Sequence, residues 1–465
     1  MSRGLEPFSA SAQDRWDVAK AAHLLRRAGF GPLPSEVAQA IQAGPDAAVD
    51  ALFAFPPVPE SQVEVGEIRS AEARVEEMVG ALRRTGSKPK DSPELRAAYM
   101  EVNRAHARSA VALTGWWLDR MARTPAPLQE KLTLFWHGHF TTSFGDVEDA
   151  VAIANQNQLF RQNAAGNFAR LLDGVARDPA MLRYLNNDAN RKGHPNENWA
   201  RELMELFTLG IGNYTETDIR ESARAWTGWT LADGRTFEGR RAFGYNPRLH
   251  DDGVKTFFGQ TGALDGTDIM RIILTTPAAP RWIAARLAKF FVSPTPDPDL
   301  VEAMAQSLVE HRYDIAPVLR AMFRSRAFYA PEVLHAQIKS PVEFVVGAVR
   351  HLGIATPDWA RLSMLAADAG QRLFFPPTVK GWDGGRAWIN AATVFDRANL
   401  AGALLAGRFG TPNTAALSSI ETMAAALLQR PLPPARRSIL AEAANGMTRA
   451  AAIHLMMSLP EYQVC

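Results

Sequence analysis

The run NENWARELMEL, Asn196 to Leu206, carries the spacing on which the fold class turns. Begun at Asn198, a helix sets Asn198, Glu202 and Glu205 along one face at i, i+4 and i+7 and turns Leu203, Leu206 and Phe207 elsewhere. A second polar cluster, FWHGHF at Phe135 to Phe140, stands in equally apolar helical sequence. Charge buried in such surroundings must be paired or bind metal, so both clusters are candidate sites as well as helices.

Outward from these runs the helical period recurs to both ends. Trp16 to Ala28 closes on Gly29, Ser35 to Ala43 on Gly44-Pro45, and Leu95 to Arg123 stops before Pro125. The same signals predict helices over Leu128 to Trp136, Asp146 to Gln162, Phe168 to Arg177, Asn198 to Leu209, Asp218 to Trp226, Asp268 to Thr275, Pro280 to Phe291, Leu300 to Glu310, Pro341 to His351, Thr393 to Leu405, Ile420 to Gln429 and Arg449 to Ser458. Trp229 to Tyr245 breaks the pattern, holds Asp233-Gly234, and predicts a hairpin-like insertion. Val63 to Arg84 is a charged helix between Pro/Gly-rich and polar stretches, expected to act as a mobile lid or arm. Phe374 to Asn390, FFPPTVKGWDGGRAWIN, is too rich in Gly, Pro and Trp for a helix and predicts an ordered aromatic loop of the kind that lines pockets. The fold class expected is mainly α: one large multi-helix globular domain over residues 1 to 465.

Composition narrows the function classes. A hydrophobic content of 47% supplies a sizeable core. Net charge is +2, because 51 Lys and Arg nearly cancel 49 Asp and Glu, so no drive toward nucleic acid is expected. The single cysteine, Cys465, leaves any metal to His, Asp, Glu or Asn. No run approaches the ~18 apolar residues of a membrane span, and no apolar leader is read in the first thirty residues. As written, the chain is expected to be soluble and cytoplasmic.

His137 and His139 are two apart, which puts them about 200° apart on a helix and on one face of a strand. If Gly138 breaks the helix, both rings can turn toward one metal; otherwise they are core histidines bonded to carboxylates or backbone. In the second cluster, Glu197 with Arg201 and Arg201 with Glu205 stand at i, i+4, the spacing of an ion-pair network. Asn186, Asp188, Asn190 and Glu197 imitate a calcium loop, but Arg191 replaces its glycine, which favours an Asx-rich turn capping the next helix. His250-Asp251-Asp252-Gly253 reads as a loop able to bring an imidazole and two carboxylates to the same place. His23, Arg26 and Arg27 make a basic helix end that complements the helix C-terminus or holds an oxyanion, a role open also to Lys339 and Arg350 around Glu343.

The ordered set HLLRRAGFGP, KLTLFWHGHF, NENWARELMELFTLGIGNYTETD, ARAWTGW, HDDGVKTFFGQTG, KSPVEFVVG and GQRLFFPPTVKGWDGGRAWIN resembles the bacterial domain-of-unknown-function family numbered 1800, from about His23 to about Asn399. The resemblance implies no agreed activity. It does imply a sulfatase-like neighbour protein, of the family numbered 1501, as a partner, and export of many members, often behind a twin-arginine leader. The family motifs cover His23, His137, His139, Asn196, Glu197, Asn198, Arg201, Glu202, Glu205, His250, Asp251 and Gly253, a mostly polar set that favours a functional site.

The leading expectation is therefore a metal-dependent enzyme. His137, His139, His250 and Asp251 would hold a divalent ion, Glu202, Glu205, Arg201 and Asn198 would do the chemistry, and His23, Arg27, Trp229, Trp382 and Trp388 would line a pocket for a small-molecule or saccharide substrate. Zinc would favour hydrolysis, iron or copper oxidation. The rival is a non-catalytic helical binding or assembly protein whose polar clusters are structural. A metal-free acid/base pair, Glu202 with Glu205, is a third.

Overall fold

In this computed structural model, residues 4–58, 65–85, 92–430 and 433–465 are described. Helices dominate them, and prolines and side-chain caps set where they begin. Proline stands in the first turn of the helices Pro34–Ala43, Pro93–Arg123, Pro127–His139, Pro298–Glu310 and Pro341–His351, where its missing N–H has no intrahelical partner to lose. Asp17 opens Val18–Arg27 by accepting from the Lys20 amide at 3.1 Å. Ser340 and Glu343 form a reciprocal capping box on Pro341–His351.

Two cores share one central helix. The first gathers the N-terminal helices and the segment from Phe160 to Val333; the second gathers the long helix Pro93–Arg123 with the C-terminal helices. Pro127–His139 lies between them, giving Leu128, Leu132, Phe135 and Trp136 to the first and Leu134 to the second.

That helix is held by a fully buried carboxylate. Glu130 accepts from Arg161 Nε at 2.8 Å and Nη2 at 2.9 Å, from Arg120, and from the Trp117 indole at 2.9 Å. Arg161 belongs to Ala150–Gln162, while Arg120 and Trp117 belong to Pro93–Arg123, so a single side chain ties three helices together. Burial alone would raise the Glu130 carboxyl, but the two guanidinium groups prevail and hold it below its ordinary range.

The strand content is small. β1 (Trp229–Leu231) pairs antiparallel with β2 (Phe243–Tyr245), Trp229 opposite Tyr245, at the bounds predicted from the sequence. A second hairpin, β3 (Lys255–Phe257) with β4 (Gln260–Gly262), turns through Phe258 and Gly259, both at positive φ. It was not expected, because Phe-Gly lacks the Asn or Asp that marks such turns.

Val63 and Glu64 of the charged helix lie outside the described residues. Over Val65–Arg84 the helix packs on Pro93–Arg123 around a small core of Ala71, Val75, Leu95, Ala98 and Val102. Its Glu72 is buried and accepts from His106 at 3.1 Å and from Arg241 of the β1–β2 hairpin, which also reaches Asp149 at 2.9 Å. No helix among the described residues is long and apolar enough to cross a membrane.

Replacing Glu130 by Gln leaves Arg161 buried without its anion. Chemical denaturation of Glu130→Gln is expected to show a loss of about 3–5 kcal/mol with the fold's helical signal retained at low denaturant.

Candidate functional site

A cleft of about 350 Å³ opens beside the central helix. Lys131, Leu134, Phe135 and Gly138 form its floor, and Arg286, Lys289 and Phe290 of the helix Ala278–Phe291 form one wall. Opposite stand Gln337, Ile338, Ser340 and Glu343, with Gln371 behind. The aromatic loop closes the third side through Trp382, Gly384, Gly385, Arg386 and Trp388, and Arg27 reaches in from the end of Val18–Arg27.

The loop is pinned to the central helix from below. His137 Nε2 accepts the Phe374 amide at 3.1 Å, and the His137 ring lies among Trp117, Phe374 and Trp382 at centroid separations of 5.5, 5.2 and 5.6 Å. Phe374 is held at φ 63°, a conformation a bulky side chain adopts only when its surroundings enforce it. Gly381 sits at φ 86°, and a Cβ there would stand 2.7 Å from the Gly138 carbonyl oxygen, so only glycine lets the loop approach the helix this closely.

The expected metal set does not converge. Gly138 does not break the helix, which continues to His139, and the two rings therefore leave on different sides. His139 donates from Nε2 to the Phe207 carbonyl at 2.9 Å inside a nest of Phe135, Trp136, Phe140 and Phe207. His250 Nδ1 donates to the Thr227 carbonyl at 2.8 Å, and Asp251 is clasped by Arg224 at 2.8 and 3.2 Å, which holds its carboxyl down at about 2. Among the described residues no three His, Cys, Asp or Glu side chains stand together as a metal cage.

The Asn196 to Leu206 cluster is organised by backbone, not by one straight α-face. Asn196 caps the helix Glu197–Glu202, and the Asx-rich turn before it is closed by Asn190 accepting the Asn196 amide at 2.8 Å. A π-turn over Leu203–Thr208 then widens the coil, so Glu205 leaves the stripe that Asn198 and Glu202 begin. Glu205 accepts from Tyr214 at 2.9 Å, and Arg201 bonds Glu216 of the next helix at 3.0 Å and Glu197 at 3.3 Å instead of Glu205. Glu202 is half-buried, its carboxyl pushed above the ordinary range by burial and then by the charge of Glu205. Asn198 is exposed.

Of the expected pocket residues, Arg27, Trp382 and Trp388 line the cleft, whereas His23 and Trp229 do not. His23 is buried against Phe328, bonded through Nε2 to its carbonyl at 3.0 Å. Trp229 packs on Trp226 beneath Arg177 in the hairpin region. Arg286 and Phe290 escaped sequence reasoning, because an arginine in AAPRWIAARLAKFF reads as the wet face of an amphipathic helix.

Residues 23–464 match the family model described as Protein of unknown function (DUF1800). The chain belongs to that family. No curated protein and no solved structure is detectably similar to this DUF1800 chain.

Burial lowers His137 and His139 from an ordinary 6.5 to about 3, in His139 aided by nearby Arg286. Both stay neutral in the folded protein where the unfolded chain takes up protons, so their effect is absent above pH 6.5 and erodes stability as pH falls from there toward 3. Melting curves between pH 7 and pH ~4 are expected to decline, by up to about 1.4 kcal/mol per pH unit for each ring, and less steeply in His139→Gln. An equal slope in the variant would mean that His139 is protonated in the fold.

Proposed function

We propose that this protein binds a small, ring-bearing organic molecule in the cleft beside the central helix. The observation that carries the reading is the bare floor at Gly138: a Cβ there would meet no atom within 4 Å. Glycine inside a helix costs about 1 kcal/mol against alanine, and here no neighbour requires the missing side chain. Space kept open between Trp382, Trp388, Phe135 and Phe290 suits a flat ring, and about 350 Å³ falls in the range of small-molecule sites.

A reading without metal chemistry is supported by the engagement of His137, His139, His250 and Asp251 with structural partners. A metal-dependent enzyme would need ligands other than these four. A second reading, acid–base chemistry without metal, is favoured by one observation, the raised Glu202 carboxyl beside Glu205. Glu202 does not line the cleft, so the mark of this reading would be turnover of a small molecule bound outside it that Glu202→Gln abolishes.

Two substitutions at one position test the binding reading. Gly138→Ala is expected to raise stability by about 0.5–1 kcal/mol and keep the cleft open. Gly138→Trp fills the floor. In saturation-transfer NMR against a mixture of aromatic and pyranose fragments, signals should appear for the wild type and Gly138→Ala and vanish for Gly138→Trp, with circular dichroism unchanged. Signals that survive in Gly138→Trp would place the binding elsewhere.

A further inference from the structure

The cleft carries positive charge that the fold does not balance. Five lining side chains are cationic, Arg27, Lys131, Arg286, Lys289 and Arg386, against the acidic side chains of Glu343 and Asp383 and the negative charge at Cys465, which lines the cleft too. Glu343 is already committed, accepting from Lys131 and from the Ser340 amide at 2.6 Å. Asp383 is exposed and faces Lys380 at 3.8 Å.

Among the described residues neither Arg27 nor Arg286 is hydrogen-bonded to an anion, although Cys465 and Glu343 act on Arg27 from further off. Arg27 is 2% exposed, and only its Nη2 is bonded, to the Val333 carbonyl at 2.9 Å; Nε and Nη1 have no partner. Arg286 has a buried Nε with no partner, and its planar head lies 6.0 Å from the centroid of the Trp282 ring. A desolvated guanidinium whose nitrogens lack partners is costly, so its retention in a cleft wall points to an anion that arrives with a ligand.

The layer behind the wall repeats the imbalance. Burial brings Arg26 down to about 9, Lys339 to about 7 and Arg397 to about 10. The charges opposing them come from Cys465 and Glu343, which serve Arg27 as well. A single carboxylate in the cleft would leave much of this surplus standing, whereas a dianion offsets more of it.

Granted the cleft as a ligand site, on which this rests, we propose that its ligand bears a dianionic tetrahedral oxyanion, the phosphoryl group of an organic monoester, held between Arg27 and Arg286. Guanidinium forks match two oxygens of such a group at once, which an ammonium does not. The ester's ring lies against Trp382 and Phe290, and Lys289 and Arg386 supply attraction at the mouth.

Calorimetric titration of the full chain with phenyl phosphate, phenyl sulfate, inorganic phosphate, inorganic sulfate and neutral benzyl alcohol tests this. Phenyl phosphate is expected to bind tenfold or more tightly than benzyl alcohol and than inorganic phosphate, and more tightly than the singly charged phenyl sulfate. Arg286→Gln should remove about tenfold or more of the affinity for phenyl phosphate and leave benzyl alcohol unchanged. Arg27→Gln should do the same, and if it fails to fold, Arg286→Gln carries the test from its less deeply buried position. Inorganic phosphate binding as tightly as phenyl phosphate would overturn the ester. Benzyl alcohol binding that depends on Trp382, with no gain from phenyl phosphate, would overturn the oxyanion while leaving the cleft as a ligand site, and phenyl sulfate binding as tightly as phenyl phosphate would overturn the dianion. Absence of binding by every probe, or binding indifferent to Trp382→Ala, would overturn the cleft itself.

Discussion

A carboxylate placed where water cannot reach must find its own cations, and Glu130 finds two. With Arg161, Arg120 and the Trp117 indole around it, its charge is satisfied only when three helices meet in one arrangement. Such a pair adds little net stability over an apolar contact of equal volume, yet breaking it is expensive, and that asymmetry makes it a device for specifying packing. The central helix Pro127–His139 is thereby positioned, and with it the floor of the cleft, the ring that pins the aromatic loop, and the boundary between the two cores.

The cleft applies the opposite electrostatic rule. Around Glu130 every buried charge is matched, whereas around Arg27, Arg286, Arg26 and Lys339 cations outnumber the acids near them and several guanidinium nitrogens lack any partner. Matched charge builds a scaffold; unmatched charge in a concave, aromatic-walled space is the chemistry of a receptor. The loop Phe374 to Asn390 connects the two regimes, since His137 fixes its start through the Phe374 amide and Gly381 lets it lie against the helix.

Much of the helical framework was legible in local sequence. Pro341–His351 and Arg449–Ser458 have the predicted bounds, and the β1–β2 hairpin begins and ends where the loss of helical period said it would. Pro45–Ala51 and Pro179–Tyr184 were not anticipated, being brief, and neither were Ile315–Arg324 and Trp359–Asp368. The π-turn at Leu203–Thr208 was also hidden, because one extra residue in a coil leaves no mark on composition.

By itself the sequence determined a mainly α chain of the DUF1800 family and picked out Arg27, Trp382 and Trp388, three of the cleft's residues, because helix period, caps and motif order are local properties. Only the tertiary structure decided which polar residues meet. His137 and His139 part company because Gly138 stays helical, and Asp251 is taken by Arg224. Arg286 joins Arg27 across a cleft although about 260 residues separate them. Convergence of this kind depends on helix packing across the whole chain, where burial and charge matching, not spacing, choose each side chain's partners.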